Sequence, residues 1–171
     1  MTMKNKSKYL LFLNASKDKE LDVFLINANG ASKERDKRNL SNANKTHKHS
    51  GVRRLHIIDK IKQEGDYKVT EYLLKSIEQI LKRNKVKTAD LAGIMAVTGP
   101  GPFTSLRITV AVANTLAYSL KIPVVGIQDK QGLTDNEKLV KLGLSKLSTA
   151  KVGNYISPFY DREPNITKSK K

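Results

Sequence analysis

The segment TGPGPFTSLR, residues 98–107, is the strongest candidate for chemistry in this chain. A glycine-rich turn that opens a helix is a common phosphate site, because backbone amides and the positive end of the helix dipole converge there. Pro100 and Pro102 each lack an amide hydrogen, so two of those donors are missing. The sequence therefore predicts that Gly99 and Gly101 provide a tight turn and close packing, and that no nucleotide or other cofactor binds at this turn.

Other groupings of reactive side chains are weak. The chain contains no cysteine, which excludes disulfides, thiolate catalysis and cysteine-based zinc sites. His47, His49 and His56 lie in or beside a polar stretch rich in Asn and Lys, without HExxH spacing or a nearby acidic cluster. No Ser or Thr has a histidine at an evident position to act as its base. The sequence therefore predicts no catalytic residue and no metal site.

Two apolar runs place the glycine-rich turn between strands. Leu91–Val97 predicts a buried strand, and Ile122–Ile127 predicts a second one. Thr104 is the predicted N-cap of the helix that follows the turn, and residues 105–120 contain no helix breaker. The order strand, turn, helix, strand favours parallel strands joined by a right-handed crossover.

The N-terminal part predicts a hairpin, a third strand and an amphipathic helix. Tyr9–Leu13 and Leu21–Ile26 are apolar runs separated by a polar segment of hairpin-loop length. Leu55–Ile61 predicts the third strand, and Thr70–Arg83 predicts the helix. The predicted apolar face of that helix consists of Leu73, Leu74, Ile77, Ile80 and Leu81, with Tyr72, Ser76, Gln79 and Arg83 beside it.

The helix after the turn has more apolar surface than a single sheet needs. At about 100° per residue its apolar arc covers more than half of the circumference, whereas covering a sheet takes roughly 100°. A second partner surface follows, which is either another helix of this chain or a second subunit. The arc consists of Leu106, Val110, Ala113 and Ala117, widened by Ile108, Val112, Leu116 and Leu120; Arg107, Asn114 and Tyr118 form a narrow polar stripe.

The chain is strongly basic, with 32 Lys and Arg against 16 Asp and Glu and a net charge of +16. Such a balance favours contact with a polyanion, and general solubility charge remains the alternative. The cations are spread over the segment before Tyr9, residues 28–54, both ends of the predicted Thr70–Arg83 helix and the C-terminal KSKK, without the interleaved aromatics that stack single-stranded bases. Residues 28–54 are too polar to bury much surface, which predicts a mobile loop.

The run TGPGPFTSLRITVAVANTLAYSLKIPVVGI resembles the central motif of the TsaB (YeaZ) family, GPGSFTGLRIG followed by a small-residue helix and IPxxGV. The matched motif residues are Gly99, Pro100, Gly101, Phe103, Thr104, Leu106 and Arg107. Pro102 and Ser105 depart from the family's usual Ser and Gly. The helix TEYLLKSIEQIL, the N-terminal hairpin and the closing ISPFYDREPNIT are similar to family segments in the same order, so about two thirds of the chain is covered.

The resemblance implies an α/β, actin-like (ASKHA) ribonuclease-H-like domain, with a mixed sheet opened by an antiparallel hairpin and a parallel strand–helix–strand unit at 91–127. It divides the chain into residues 1–127, a reduced remnant of a second subdomain at 128–157, and a closing segment with a basic tail at 158–171. Within the remnant, Asn136–Leu147 has helical potential that Gly143 interrupts. Asn14 stands where actin-like phosphotransferases carry a metal-organising Asp, which argues against phosphoryl transfer.

The resemblance also implies a function. TsaB-type chains are non-catalytic partners that bind and activate TsaD, which adds threonylcarbamoyl to the adenosine beside the anticodon of tRNAs reading codons that begin with adenine. A TsaE-like ATPase, an auxiliary contact with tRNA and a homodimer without the partner are further expectations. The predicted interface is Tyr72, Ser76 and Gln79 on one helix with Ile108, Val112, Thr115 and Ser119 on the other.

Two other functions stay open at this level: a small RNA-binding protein that uses its basic loop and tails, and a peptidase, which would require the missing nucleophile–base pair. No apolar run has the length of a secretory signal or a membrane span, and the expected location is the cytoplasm.

Overall fold

The computed structural model describes residues 9–28, 56–65, 68–130 and 135–161. A five-stranded sheet in the order β3-β2-β1-β4-β5 forms the centre. The strands are β1 (Tyr9–Asn14), β2 (Glu20–Asn27), β3 (Ile57–Glu64), β4 (Leu91–Gly99) and β5 (Val124–Gln128). The α-helices are α1 (Val69–Arg83), α2 (Phe103–Leu120) and α3 (Asn136–Leu147), and a short 3-10 turn, Thr88–Asp90, precedes β4.

Strand pairing follows the sequence-based expectation. β1 pairs with β2 and β2 with β3 in antiparallel orientation, while β4 pairs with β1 and with β5 in parallel. The expected hairpin and the parallel strand–helix–strand unit are therefore confirmed. β3 alternates between more and less exposed residues, which is typical of an edge strand with one solvated face.

Side chains of the central strands alternate between two separate cores. Leu11 and Leu13 point to the face that α1 and α2 cover, whereas Leu10 and Phe12 point to the face that α3 covers. All four are buried. The sheet is thus covered on both faces, which explains why β1 and β4 are continuous apolar runs without polar alternation.

The third helix belongs to this same layered structure. Leu139 and Val140 of α3 are buried beside Met95 and Ile127 of the sheet. A Cβ at Gly143 would lie 2.6 Å from Met95 Sδ, so the glycine lets the helix approach the sheet closely. α3 runs through Gly143 without a break, and the expected interruption is wrong. α3, which the resemblance assigned to the remnant of a second subdomain, packs on the same sheet as the strands before residue 127.

Several local expectations need correction. α2 begins at Phe103 with Pro102 in the N-cap position and no side-chain cap, so Thr104 lies inside the first turn and does not cap the helix. Leu74 is 54% exposed because it lies off the buried side of α1, whereas the other four apolar residues predicted on that side are buried. The third strand begins at Ile57, and the predicted loop at 28–54 lies, except for residue 28, outside the described residues.

Candidate functional site

The predicted interface residues lie on two helices that pack side by side on one face of the sheet. Tyr72 and Gln79 are exposed on α1, and Thr115 and Ser119 are exposed on α2. Between them on α2, Ile108 and Val112 are partly buried against the core. These six residues are called the α1–α2 face below.

Ser76 is the exception among the seven predicted residues. It is only 2% exposed, so this chain already covers it and its side chain is not presented to a partner. Helical spacing places Tyr72 and Gln79 on the outer side of Ser76, which keeps them at the surface.

The α2 part of this face carries no charged side chain, whereas on α1 the ammonium group of Lys75 lies 6.0 Å from the centroid of the Tyr72 ring. The single charged residue of α2 is Arg107, and it lies on the opposite flank of that helix. Ile108 and Val112 offer apolar surface, while Thr115 and Ser119 are short enough to let a second helix approach. Such a neutral, shallow surface suits helix packing better than it suits a nucleic acid.

The opposite flank of α2 is covered by the closing segment, residues 154–161. Asn114 Nδ2 donates to the carbonyl of Ile156 at 2.9 Å, and the Ile156 amide donates to Asn114 Oδ1 at 3.0 Å. One α2 side chain therefore satisfies both backbone groups of Ile156. Further along, the Phe159 amide donates to the carbonyl of Thr98 at 2.7 Å. The segment, which the sequence left either packed or free, is packed.

The motif glycines have packing roles, as expected. Gly99 has a φ of +134°, and a Cβ there would lie 2.2 Å from the carbonyl oxygen of Phe159. A Cβ at Gly101 would lie 2.2 Å from the carbonyl oxygen of Ser16. The turn is therefore closed against backbone on two sides, and any side chain would push one of those neighbours away.

The remaining motif residues build the start of α2. Leu106 is fully buried, whereas Thr104 is exposed. The ring of Phe103 stacks on Tyr160 with centroids 4.6 Å apart, and the Arg107 guanidinium lies 5.1 Å from the Phe103 centroid. Such a cation–π contact fixes the direction of the arginine at the surface.

A buried polar cluster occupies the place where phosphotransferases hold their metal-organising Asp. Asn14 Nδ2 donates to Asn136 Oδ1 at 2.8 Å, and Asn14 Oδ1 accepts from the amide and the hydroxyl of Ser16. Asn136 Nδ2 donates to Asp22 Oδ2 at 2.7 Å. Burial raises the pKa of Asp22, partly opposed by that hydrogen bond. The cluster ties the start of α3 to β1 and β2.

Among the described ranges, no group of three or more His, Cys, Asp or Glu side chains could hold a metal ion. His56 is exposed, and His47 and His49 lie outside the described residues.

A family model described as TsaD, tRNA N6-adenosine threonylcarbamoyltransferase, matches residues 66–147. A "tRNA threonylcarbamoyladenosine biosynthesis protein TsaB" of Buchnera aphidicola (strain APS) is 34% identical over 70 residues, 41% of this chain and 32% of that protein. The TsaB protein of Bacillus subtilis is 29% identical over 85 residues, 50% of this chain and 37% of its own length. Over this part of its length the chain is similar to TsaB (YeaZ) proteins.

Solved structures agree on the fold. YeaZ from Pseudomonas aeruginosa superposes with a TM-score of 0.50 at 23% identity, covering 71% of this chain and 44% of that one. The α/β fold is thus the actin-like, ribonuclease-H-like one that the resemblance implied. The matches span only about a third of the length of the curated TsaB relatives. In the described part of the chain, no helix is both long and apolar enough to cross a membrane.

One grouping at this site escaped the sequence-based reasoning. The sequence suggested no aromatic residues interleaved with the cations, yet Tyr160 of the closing segment stacks on Phe103, whose ring also contacts Arg107. The hydrogen bonds of Asn114 to Ile156 create this neighbourhood across a separation of 42 residues. No local spacing encodes such a contact.

Proposed function

We propose that the chain is the non-catalytic partner of a TsaD-like subunit in forming N6-threonylcarbamoyladenosine beside the anticodon of tRNAs that read codons beginning with adenine. The similarity to TsaB-named proteins supports the pathway. The α1–α2 face supports the mode of action, because its α2 part combines partly exposed apolar side chains with short polar ones and has no charge, in an otherwise basic chain. That contrast is the observation on which the proposal rests.

The similarity between this chain and the TsaD family suggests how the two would pack. The matched region, residues 66–147, includes α1, β4, α2, β5 and α3. A TsaD-like subunit would therefore present a corresponding pair of helices. Two similar helix pairs can meet around an approximate two-fold axis, in the way that identical surfaces meet in a symmetric dimer. The same geometry would let two copies of this chain associate when the partner is absent.

In this proposal the chain acts by changing the conformation of its partner, not by chemistry. Binding through the α1–α2 face stabilises the active arrangement of the TsaD-like subunit by whatever difference in affinity exists between its two states. Asn14, the position of greatest catalytic interest, already uses its amide in hydrogen bonds to Ser16 and Asn136. A TsaE-like ATPase would join this pair, and the complex would work in the cytoplasm, where tRNA is modified.

The test is size-exclusion chromatography with light scattering on the chain mixed with a TsaD-like subunit from the same source. Val112→Asp places a charge in the middle of the α1–α2 face, and burying it unpaired should weaken binding at least 100-fold. Since Val112 is partly buried, Thr115→Arg provides a second variant that changes only an exposed residue. Leu142→Asp is the matched control, because Leu142 is 46% exposed on α3, across the sheet from this face.

The proposal predicts a heterodimer for the unchanged chain and for Leu142→Asp, and none for the other two variants at micromolar concentration. If the unchanged chain forms no complex, the partner proposal fails, and tRNA binding through the basic segments becomes the better explanation. If Leu142→Asp is as damaging as Val112→Asp, the α1–α2 face is not the docking surface.

A further inference from the structure

A strip of exposed aromatic rings lies along the flank of α2 that faces away from α1. Phe103, Tyr118, Tyr155 and Tyr160 are 49%, 72%, 67% and 38% exposed. Two of them belong to α2 and two to the closing segment, and these four residues are called the aromatic strip. Contact between so many rings and water is unfavourable, and such a grouping indicates a binding partner.

The hydrogen bonds of Asn114 position one end of the strip. Because Asn114 holds both backbone groups of Ile156, the backbone of the neighbouring Tyr155 lies near α2. Tyr118 follows Asn114 by one helical turn on the same side of α2, where side chains four residues apart are neighbours. Two largely exposed tyrosines are thereby held close to one helix flank, and each has a ring face open to solvent.

Phe103 and its two contacts form the other end of the strip. Tyr160 stacks on Phe103, and the guanidinium of Arg107 lies on Phe103 as well. The stack orients Arg107 without neutralising it, since a ring carries no net charge. Arg107 and Tyr118 are eleven positions apart on α2, or about 16 Å along the helix axis at ~1.5 Å per residue.

Within α2, Lys121 and residues 148–160, every charged side chain is basic, and Asp161 follows Tyr160 directly. Arg107 is the single charged residue within α2, Lys121 follows that helix directly, and Lys151 is the single charged residue between positions 148 and 160. Both lysines are exposed. The first acidic residue of the closing segment is Asp161, at its end. A protein partner would need no such excess of cations, whereas a phosphate backbone would.

We propose that the aromatic strip is a binding site for single-stranded RNA. Bases stack on the rings of Tyr118 and Tyr155, and Arg107, Lys121 and Lys151 contact the phosphates between them. Single-stranded nucleic acids are typically bound in this way, by aromatic platforms beside cations.

The inference deepens the proposed function and rests on it for its substrate, since a tRNA is the polyanion that such a complex handles. It concerns the opposite flank of α2 from the docking face, so the two can fail separately. It also differs from a contact made by the basic loop and tails, because it depends on rings and not only on charge.

The test is fluorescence anisotropy with a labelled single-stranded twelve-nucleotide oligoadenylate, using the full chain at ~50 mM and at ~200 mM salt. Tyr118→Ala with Tyr155→Ala should weaken binding about tenfold to 100-fold, because two stacking platforms are lost. Tyr118→Phe with Tyr155→Phe keeps both rings and should bind within about twofold of the unchanged chain. Leu142→Asp, on α3 across the sheet, should bind RNA normally. Circular dichroism melting checks that each variant folds.

Three results would overturn the inference. The double alanine variant could bind as tightly as the unchanged chain, which would assign RNA binding to the basic segments. The phenylalanine variant could be as weak as the alanine variant, which would replace stacking by a hydroxyl contact. The unchanged chain could fail to bind the oligonucleotide at low salt; if the alanine variant then lost the TsaD-like subunit in light scattering, the strip would be a protein-docking surface.

Discussion

The two flanks of α2 differ in every property that decides what can bind to them. The flank toward α1 carries Ile108, Val112 and Thr115, has no charge, and ends in a shallow surface of short side chains. The flank toward the closing segment carries Arg107 and Tyr118, with Asn114 hydrogen-bonded to a second part of the chain. A helix of 18 residues can thus serve two partners, because its apolar arc exceeds what the sheet covers.

This comparison separates two kinds of surface that a hydropathy plot does not distinguish. The proposed docking flank is uncharged, so a helix of a partner can pack against it even though the chain as a whole is basic. The aromatic flank depends on the position of the closing segment, because that segment supplies two of its four rings. Loss of the closing segment should therefore damage one flank and spare the other.

Gly99→Ala is expected to have the largest effect on stability. The new Cβ would meet the carbonyl oxygen of Phe159 and would also be held at a φ of +134°. Strain and overlap together should lower the free energy of unfolding by about 3 kcal/mol, measured by urea denaturation. Gly65→Ala is the matched control, because Gly65 has a φ of +111° and nothing within 4 Å. It should cost only about 1 kcal/mol, the strain alone. Equal costs for the two variants would show that the closing segment does not press on Gly99.

Asn114→Ala should have an intermediate effect, confined to the closing segment. It removes both hydrogen bonds to Ile156 and leaves two backbone groups unpaired, which should cost about 1–2 kcal/mol. Hydrogen exchange at the Ile156 and Phe159 amides should accelerate about tenfold, while the amides of β1 stay protected. Thr115→Ala, one residue along the helix, serves as the control and should leave that exchange unchanged. Unchanged exchange in Asn114→Ala would mean that Asn114 does not hold the segment.

Asp22→Asn should have the smallest effect, and its sign depends on pH. Burial raises the pKa of Asp22 above its ordinary value of 3.8, so the native state resists ionisation of this group more than the unfolded chain does. The ionised group therefore lowers stability at neutral pH, and this cost disappears below about pH 3.8, where both states are protonated.

The variant stays neutral and retains an oxygen that can accept from Asn136 Nδ2, so it should melt slightly higher than the unchanged chain at neutral pH. The two melting temperatures should converge as the pH falls. Because Asp22 lies on the α3 side of the sheet, neither RNA binding nor partner binding should change. A lower melting temperature for the variant across the whole pH range would contradict this account of Asp22.

The sequence predicted the elements of the fold closely and their mutual contacts poorly. Continuous apolar runs identified β1, β2 and β4, and helical spacing identified α1 and α2, because these signals are local. Thr104 was the wrong helix cap, since Pro102 can occupy the N-cap position itself and the helix starts at Phe103. The burial of Ser76 and the packing role of Gly143 depend on what lies opposite them, which local spacing does not contain.

In the candidate site, too, the sequence predicted local features and missed contacts between residues that are distant in sequence. Tyr72, Gln79, Val112 and Thr115 were found from helical spacing and do lie at or near the surface. The aromatic strip was missed because Phe103 and Tyr160 are distant in sequence and meet only through the folded closing segment. A single sequence gives no direct signal for such a pair.

Light scattering of the chain mixed with its TsaD-like partner tests the division of α2 most directly, if Val112→Asp and the Tyr118→Ala, Tyr155→Ala double variant are compared in one series. The account predicts a heterodimer for the unchanged chain and for the tyrosine variant, and only separate subunits for Val112→Asp. A heterodimer that survives Val112→Asp, or one that is lost on removing the tyrosines, would contradict the assignment of the two flanks.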